Sequence, residues 1–292
     1  MQEPIDKRTV QHVRRALLAW YARNARDLPW RRTRDPYAVW VAEILLQQTR
    51  IDQGTPYFER FLAAFPTVEA LARAPEDAVL KLWEGLGYYA RARNLHRAAR
   101  LVASERGGQF PETAEEWQAL PGIGRYTAGA IASIAFNEAV PVLDGNVKRV
   151  LARLFDIAAP IGQAATEGRL WALAGALVPP RRPGDFNQAM MELGATVCTP
   201  KVPSCPACPL QAACQAAARG TQAKRPVKGK KPATPHYEIV VAAIEKNGRF
   251  LLGKRPPSGL LGGLWEFPGG KVQAGDAHDQ ALKRESREEL GV

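Results

Sequence analysis

Two carboxylates in this chain have residue types and surroundings suited to acid–base work. Glu43 falls in the middle of PYAVWVAEILLQQT, residues 36–49, a stretch that is apolar nearly all round and that the pattern predicts as a buried helix. Burial disfavours the ionised form of a carboxyl group and raises its pKa, and an acid still protonated near neutral pH can hand a proton to a leaving group. Structural ion pairs also bury glutamates, so position alone leaves both readings open. Asp144 lies in VLDGNVKRV, residues 142–150, directly before another predicted helix. There it reads as an N-cap, and an N-cap carboxylate beside a bound phosphate can also stabilise positive charge on the adjoining sugar. The two roles are compatible.

Between them stands Leu120-Pro121-Gly122-Ile123-Gly124, then an apolar helical run that begins with Arg125 and Tyr126. Proline starts a tight turn, Gly122 and Gly124 can take positive φ, and the unpaired N–H groups at the following helix start could seat a phosphate. A plain helix–helix turn has the same residues. Other segments mix aromatic and polar groups in ways that suit a nucleic acid or ordinary packing: Trp30, Arg31 and Arg32; Gln47, Gln48 and Thr49; and GLGYYARARN, residues 85–94, which interleaves Tyr88 and Tyr89 with Arg91 and Arg93. All four cysteines, Cys198, Cys205, Cys208 and Cys214, lie within one short stretch at intervals of six, two and five residues. Such spacing binds zinc or an iron–sulfur cluster, and with only one C-x-x-C knuckle the cluster is favoured.

Helices must position these groups. Apolar spacing predicts one over 10–24, a succession of short ones from 52 to 105 punctuated by proline and glycine, then 113–120, 163–178 and 185–197, the last carrying Asn187, Gln188 and Glu192. The 292 residues carry 40 basic against 29 acidic groups, a net charge of +11 that points to a polyanionic partner, nucleic acid first. No run of 18 apolar residues occurs and the N-terminus lacks a signal-peptide core, so the expectation is a cytoplasmic, DNA-associated protein with no membrane partner. RGTQAKRPVKGKK, residues 219–231, with six basic and no acidic residues, reads as a linker. Strands are expected over 237–245 and 249–255, joined at Asn247-Gly248, and a second mixed domain begins with them.

Residues 9 to about 218 closely resemble the MutY-type adenine DNA glycosylases of the helix-hairpin-helix, endonuclease III-like superfamily. WVAEILLQQT, LPGIGRYTAGAI, VLDGNVKRV and the cysteine spacing carry the resemblance. It implies an all-α, two-lobed helix-hairpin-helix domain over 1–218 with an iron–sulfur loop at 198–214, a linker over 219–235, and a partial α+β Nudix-like domain over 236–292. The implied activity is hydrolysis of adenine paired with 8-oxoguanine or guanine in double-stranded DNA, a base excision repair step, by a monomer. Glu43 would protonate N7 of the flipped adenine and later handle the attacking water, Asp144 would stabilise the oxocarbenium ion or bond transiently to the sugar carbon, and Tyr126 and Asn146 would position them. Trp30, Arg31, Leu46 and Gln188 would line the adenine pocket, while Gln48 and Tyr88 would wedge beside the lesion. Gly122 and Gly124 would hold the DNA backbone with a monovalent cation, and Cys198, Cys205, Cys208 and Cys214 would hold one 4Fe–4S cluster.

Lyase members of that superfamily place a lysine where this chain has Tyr126, which implies a monofunctional enzyme; an endonuclease III-like oxidised-pyrimidine glycosylase/lyase is the alternative. A non-catalytic DNA-binding module is a further one. The C-terminal segment 270–292 follows the Nudix box nearly throughout, with Asp276 for the expected glutamate and Ser286 for an aliphatic residue. Glu285, Glu288 and Glu289 would share one helix face, suited to Mg²⁺ or to water, which leaves a nucleotide pyrophosphohydrolase open. The chain stops at this box, and a truncated domain is expected.

Overall fold

The computed structural model describes residues 5–229, 234–256 and 262–291. The chain divides into two compact units, Met1–Gly229 and Lys230–Val292.

The first unit is helical. Its elements are α1 (Lys7–Asn24), α2 (Pro36–Leu45), α3 (Ile51–Ala64), α4 (Val68–Arg73), α5 (Glu76–Leu82), α6 (Ala90–Glu105), α7 (Ala114–Gln118), α8 (Arg125–Phe136), α9 (Gly145–Leu154), α10 (Ala164–Leu177), α11 (Pro183–Thr196) and the short α12 (Gln215–Ala218). Helices α2 to α8 pack among themselves, and α1 and α9 each pack on α10 and α11; the groups join where α11 lies on α8. Buried Asn187 secures that joint by donating to Ser133 Oγ and to the Val140 carbonyl, both at 2.9 Å. A buried amide with both donors satisfied specifies one register between helices where apolar side chains alone would allow several.

Local chemistry sets several helix starts. Asp35 caps α2 by accepting from the Tyr37 and Ala38 amides, with Pro36 in the first turn where its missing N–H is no loss. Thr113 and Glu116 form a capping box on α7. Tertiary contacts fix ends as well: Arg14 of α1 donates to the carbonyls of Ala176, Leu177 and Val178, orphan acceptors at the end of α10. The helix expected over 36–49 stops at Leu45, because the chain turns through 46–49 with Gln48 at φ 59°. The basic stretch from 219 is strapped to this unit through residue 227. Arg219, Thr221 and Arg225 all bond Asp156, and the Ile161 amide donates to the Val227 carbonyl.

The second unit holds three two-stranded antiparallel ladders and one helix among its described residues. β1 (Ile239–Val241) pairs with β6 (Gly269–Lys271), β2 (Glu245–Lys246) with β3 (Arg249–Phe250), and β4 (Gly253–Lys254) with β5 (Trp265–Glu266). Asn247 and Gly248 both have positive φ between β2 and β3, the two-residue hairpin the sequence leads one to expect. Helix α13 (His278–Leu290) packs on β1 and β6. Among the described residues no helix is long and apolar enough to cross a membrane.

Candidate active site

Helix α2 is buried along almost its whole length, and Glu43 is its one acidic or basic side chain. Burial pushes the Glu43 carboxyl up to about 7; the hydrogen bond from Tyr126 opposes this, the Asp144 charge adds to it and Arg31 opposes it again. Tyr126, in the first turn of α8, donates its hydroxyl to Glu43 Oε2 at 2.8 Å, and Met191 Sδ lies 3.3 Å from the same hydroxyl. Burial and the two nearby carboxylates hold the phenol well above its ordinary value, so it remains a neutral donor. With Oε2 occupied, a proton taken up by Glu43 resides on Oε1.

Asp144 caps α9: Oδ1 accepts from the Val147 amide at 2.7 Å and Oδ2 from the Asn146 side chain at 2.8 Å. Burial raises its pKa, and these two donors oppose the rise. Asn146 is oriented in turn by Arg149, whose Nη2 donates to Asn146 Oδ1 at 2.8 Å. The same guanidinium reaches the Gly145, Gly194 and Cys198 carbonyls, which fixes α9 to α11 and to the start of the cysteine loop.

Glu43, Tyr126, Asp144 and Asn146 line one cavity of about 470 Å³, within the usual size of a small-molecule site. Trp30, Arg31, Leu46, Gln48 and Gln188 line it too. Tyr88, Gly122 and Gly124 do not. Four further lining residues carried no clear signal in the sequence: Arg26, Arg149, Met191 and Glu192. Glu192 is 1% exposed, and its carboxylate accepts from Arg26 at 2.6 and 2.8 Å and from Arg31 at 2.7 Å. Burial works to raise it, but these charged donors win and hold it down at about 2. Its i,i+4 spacing from Gln188 is the one hint that both share a face. Among the described residues the cavity's lining includes three arginines and no lysine.

At the hairpin the two glycines differ. Gly122 has φ +78°, and a Cβ there would lie 2.6 Å from Asn94 Cβ, so backbone and space both require glycine. Gly124 caps α8 in an extended conformation, φ −88° and ψ 172°, not the left-handed one expected from the sequence. A Cβ at Gly124 would meet no protein atom within 4 Å. Gln48 and Tyr88 both carry positive φ, 59° and 49°, and Tyr88 is 65% exposed. Arg91 departs from the reading of an arginine that faces a nucleic acid: its guanidinium is turned inward onto backbone carbonyls.

The four cysteines line a second, smaller cavity, together with Arg153, Gln211 and Gln222. Burial pushes the Cys208 thiol up to about 11 and raises Cys214 as well. Arg153 Nη1 lies 3.3 Å from Cys198 Sγ and also donates to the Thr199 carbonyl at 2.7 Å. Among the described residues no three His, Cys, Asp or Glu side chains converge on a single ion position.

The Nudix-box acids of the second unit are differently placed. Arg284 pairs with Glu285 at 2.7 Å, Glu288 at 3.5 Å and Asp276 at 3.6 Å, while Glu289 accepts from the Gly269 amide at 3.0 Å.

Comparison with known proteins matches residues 41–175 to the HhH-GPD superfamily of base excision DNA repair proteins and residues 239–292 to the NUDIX domain. The adenine DNA glycosylase of Homo sapiens is 42% identical over 90% of this chain and 58% of its own length. That of Buchnera aphidicola subsp. Acyrthosiphon pisum is 39% identical over 86% of this chain and 72% of its own. A thermostable thymine-DNA glycosylase of known structure superimposes with a TM-score of 0.67 at 30% identity, over 73% of this chain and 98% of that one. Against the animal and plant relatives matched at 41–42% identity, the chain spans 51–65% of their length.

Proposed function

The chain belongs to the adenine DNA glycosylases of the HhH-GPD superfamily, and from that premise we propose that it hydrolyses the N-glycosidic bond of adenine mispaired with 8-oxoguanine or guanine in duplex DNA. One observation carries the reading: a carboxyl with a pKa near 7, Glu43, shares a cavity with a second carboxyl, Asp144, and its neighbour is a neutral hydroxyl, Tyr126. Two carboxyl groups at a glycosidic bond, one acid and one counter-charge, are what such hydrolysis uses.

A base inside a duplex is out of reach, so the adenine is extruded into the cavity between Trp30, Leu46, Arg31 and Gln188. Gln48 and Tyr88 fill the space beside the lesion. Glu43 passes its proton from Oε1 to N7, which makes the base a better leaving group, and the glycosidic electron pair leaves with it. The sugar becomes an oxocarbenium ion whose positive charge faces Asp144, held in place by Asn146 and the Val147 amide. Water then adds to C1′ and gives its proton to Glu43, which restores the starting state.

Tyr126 supports hydrolysis over lyase chemistry. A Schiff base needs a neutral amine, and the cations that line the cavity among the described residues are arginines, which stay charged. On the DNA side, the open space at Gly124 suits close approach by a backbone phosphate to the first amides of α8, with a monovalent cation at the hairpin. Cys198, Cys205, Cys208 and Cys214 would hold one 4Fe–4S cluster, and when bound it would supply cross-links that pin the 198–214 loop. Iron and acid-labile sulfide of the purified protein test that assignment.

The activity is tested with an A:8-oxoguanine duplex followed by hot alkali. A strand break at the adenine is expected, and no break overturns the proposal. Borohydride trapping should yield no protein–DNA adduct; an abundant adduct would favour the glycosylase/lyase reading.

A further inference from the structure

Gln48 and Tyr88 lie forty residues apart in sequence, each held in a left-handed backbone conformation that a side-chain-bearing residue adopts only under strain. Such conformations persist only where the surroundings over-determine them. One guanidinium serves both loops. Arg91 Nη1 donates to the carbonyls of Ile44 at 3.0 Å, Leu45 at 3.1 Å and Gln47 at 2.5 Å, gathering the turn that carries Gln48. Its Nη2 points the other way, to the carbonyls of Leu86 and Gly87 at 3.4 Å, in the loop that carries Tyr88. The guanidinium carbon also lies 5.7 Å from the Tyr88 ring centre and 5.2 Å from that of buried Trp83, whose indole N–H in turn donates to the Gly87 carbonyl at 3.1 Å. Arg91 itself does not line the cavity.

We propose that Arg91 is a positioning residue that presents Gln48 and Tyr88 as one rigid pair, so that both enter the duplex together as the adenine leaves it. The inference rests on the wedge role given to these two residues above. The planar fork of arginine is what the task requires: it offers donors along two edges at fixed angles, whereas a lysine ammonium is a point that can serve one loop and release the other. Presenting both side chains on a preformed frame removes the ordering cost that two independent loops would add to the extrusion step.

Two measurements on the full chain test the proposal. In the absence of DNA, amide hydrogen exchange of Arg91→Lys should rise in segments 44–49 and 85–89 together, with the rest of the first unit unchanged. A rise confined to one segment, or spread over all helices, overturns the clamp whatever the wedges do. With DNA, single-turnover adenine excision and the fluorescence of a 2-aminopurine beside the target adenine are followed for Arg91→Lys in the parent and in a Gln48→Ala, Tyr88→Ala background. We expect Arg91→Lys to lower the excision rate about tenfold and to reduce the fluorescence rise in the parent, but to lower the rate less than about twofold once both wedges are gone. Equal loss in both backgrounds overturns the proposal. If the wedge variant itself leaves rate and fluorescence unaltered, the wedge role falls, and the inference with it.

Discussion

The two units each carry a set of carboxylates, and the sets differ in what balances them. Glu43 and Asp144 sit in a cavity wall where neutral donors are their hydrogen-bond partners: a phenol, an amide side chain and a backbone N–H. Asp276, Glu285 and Glu288 gather around one arginine of α13. A paired carboxylate has little to give, because its charge is already compensated. Glu43, with no cation bonded to it and burial pushing it up to about 7, keeps a proton near neutral pH that it can pass to a leaving group, while Asp144 has its rise opposed by the Val147 amide and Asn146. Glu192 makes the same point inside the cavity itself: two arginines hold it at about 2, and its part is to anchor Arg31, not to move protons.

Substitutions should therefore act very unequally. The largest effect is expected from Glu43→Gln, which keeps the shape and the Tyr126 bond but removes the proton: single-turnover adenine excision should fall by about 10²–10⁴. Near-parental activity would end the assignment of Glu43 as acid. Asp144→Asn comes next, at about 10²–10³, because the helix cap survives while the counter-charge is lost; circular dichroism should show the fold retained.

The pH dependence sharpens the contrast further. Excision that needs protonated Glu43 should decline as pH rises through about 7, approaching tenfold per pH unit well above it. A rate flat from pH 6 to 9 would contradict the raised pKa. Stability should move in the same sense. Because the folded-state pKa of Glu43 lies above its ordinary value of 4.5, the stability that protonation confers is fully present below about 4.5 and is lost as pH rises through about 7. Glu43→Gln should then stabilise the first unit at pH 8.5, by on the order of 2 kcal/mol in denaturant titrations, and confer nothing at pH 4. The smallest effect is expected from Glu285→Gln with Glu288→Gln: excision within about twofold of the parent and stability within about 0.5 kcal/mol, as for surface ion pairs. A large loss of excision in that double variant would mean that the two acid sets are functionally linked.

Much of the site is legible in residue order because its signals are local. An aspartate before a helical run is an N-cap wherever that helix goes, and Asp144 is one. An all-apolar helix must be buried, and a lone glutamate within α2 is then forced into a desolvated place. The Pro121–Gly122 turn and the Asn247–Gly248 hairpin are likewise written in dihedral preferences. Other features are hidden for an equally physical reason. Arg91 and Arg93 read alike in sequence, yet Arg91 turns inward because the carbonyls of Ile44 and Gln47 at the broken end of α2 lie within its reach. Gly124 has the residue type of a second left-handed position, but one positive φ at Gly122 already reverses the chain.

The order of amino acids is enough to say which groups can do chemistry here: a carboxyl that must be buried, a carboxyl that must cap a helix, and four clustered thiols. Which of them meet is a matter of how the helices pack. Packing sets Tyr126 against Glu43 across 83 residues of chain and closes Arg26 and Arg31 on Glu192 across 166 and 161. Spacing along a helix fixes the face a side chain shares with its near neighbours, but the partner across a cavity is chosen by helix packing, which no local preference encodes.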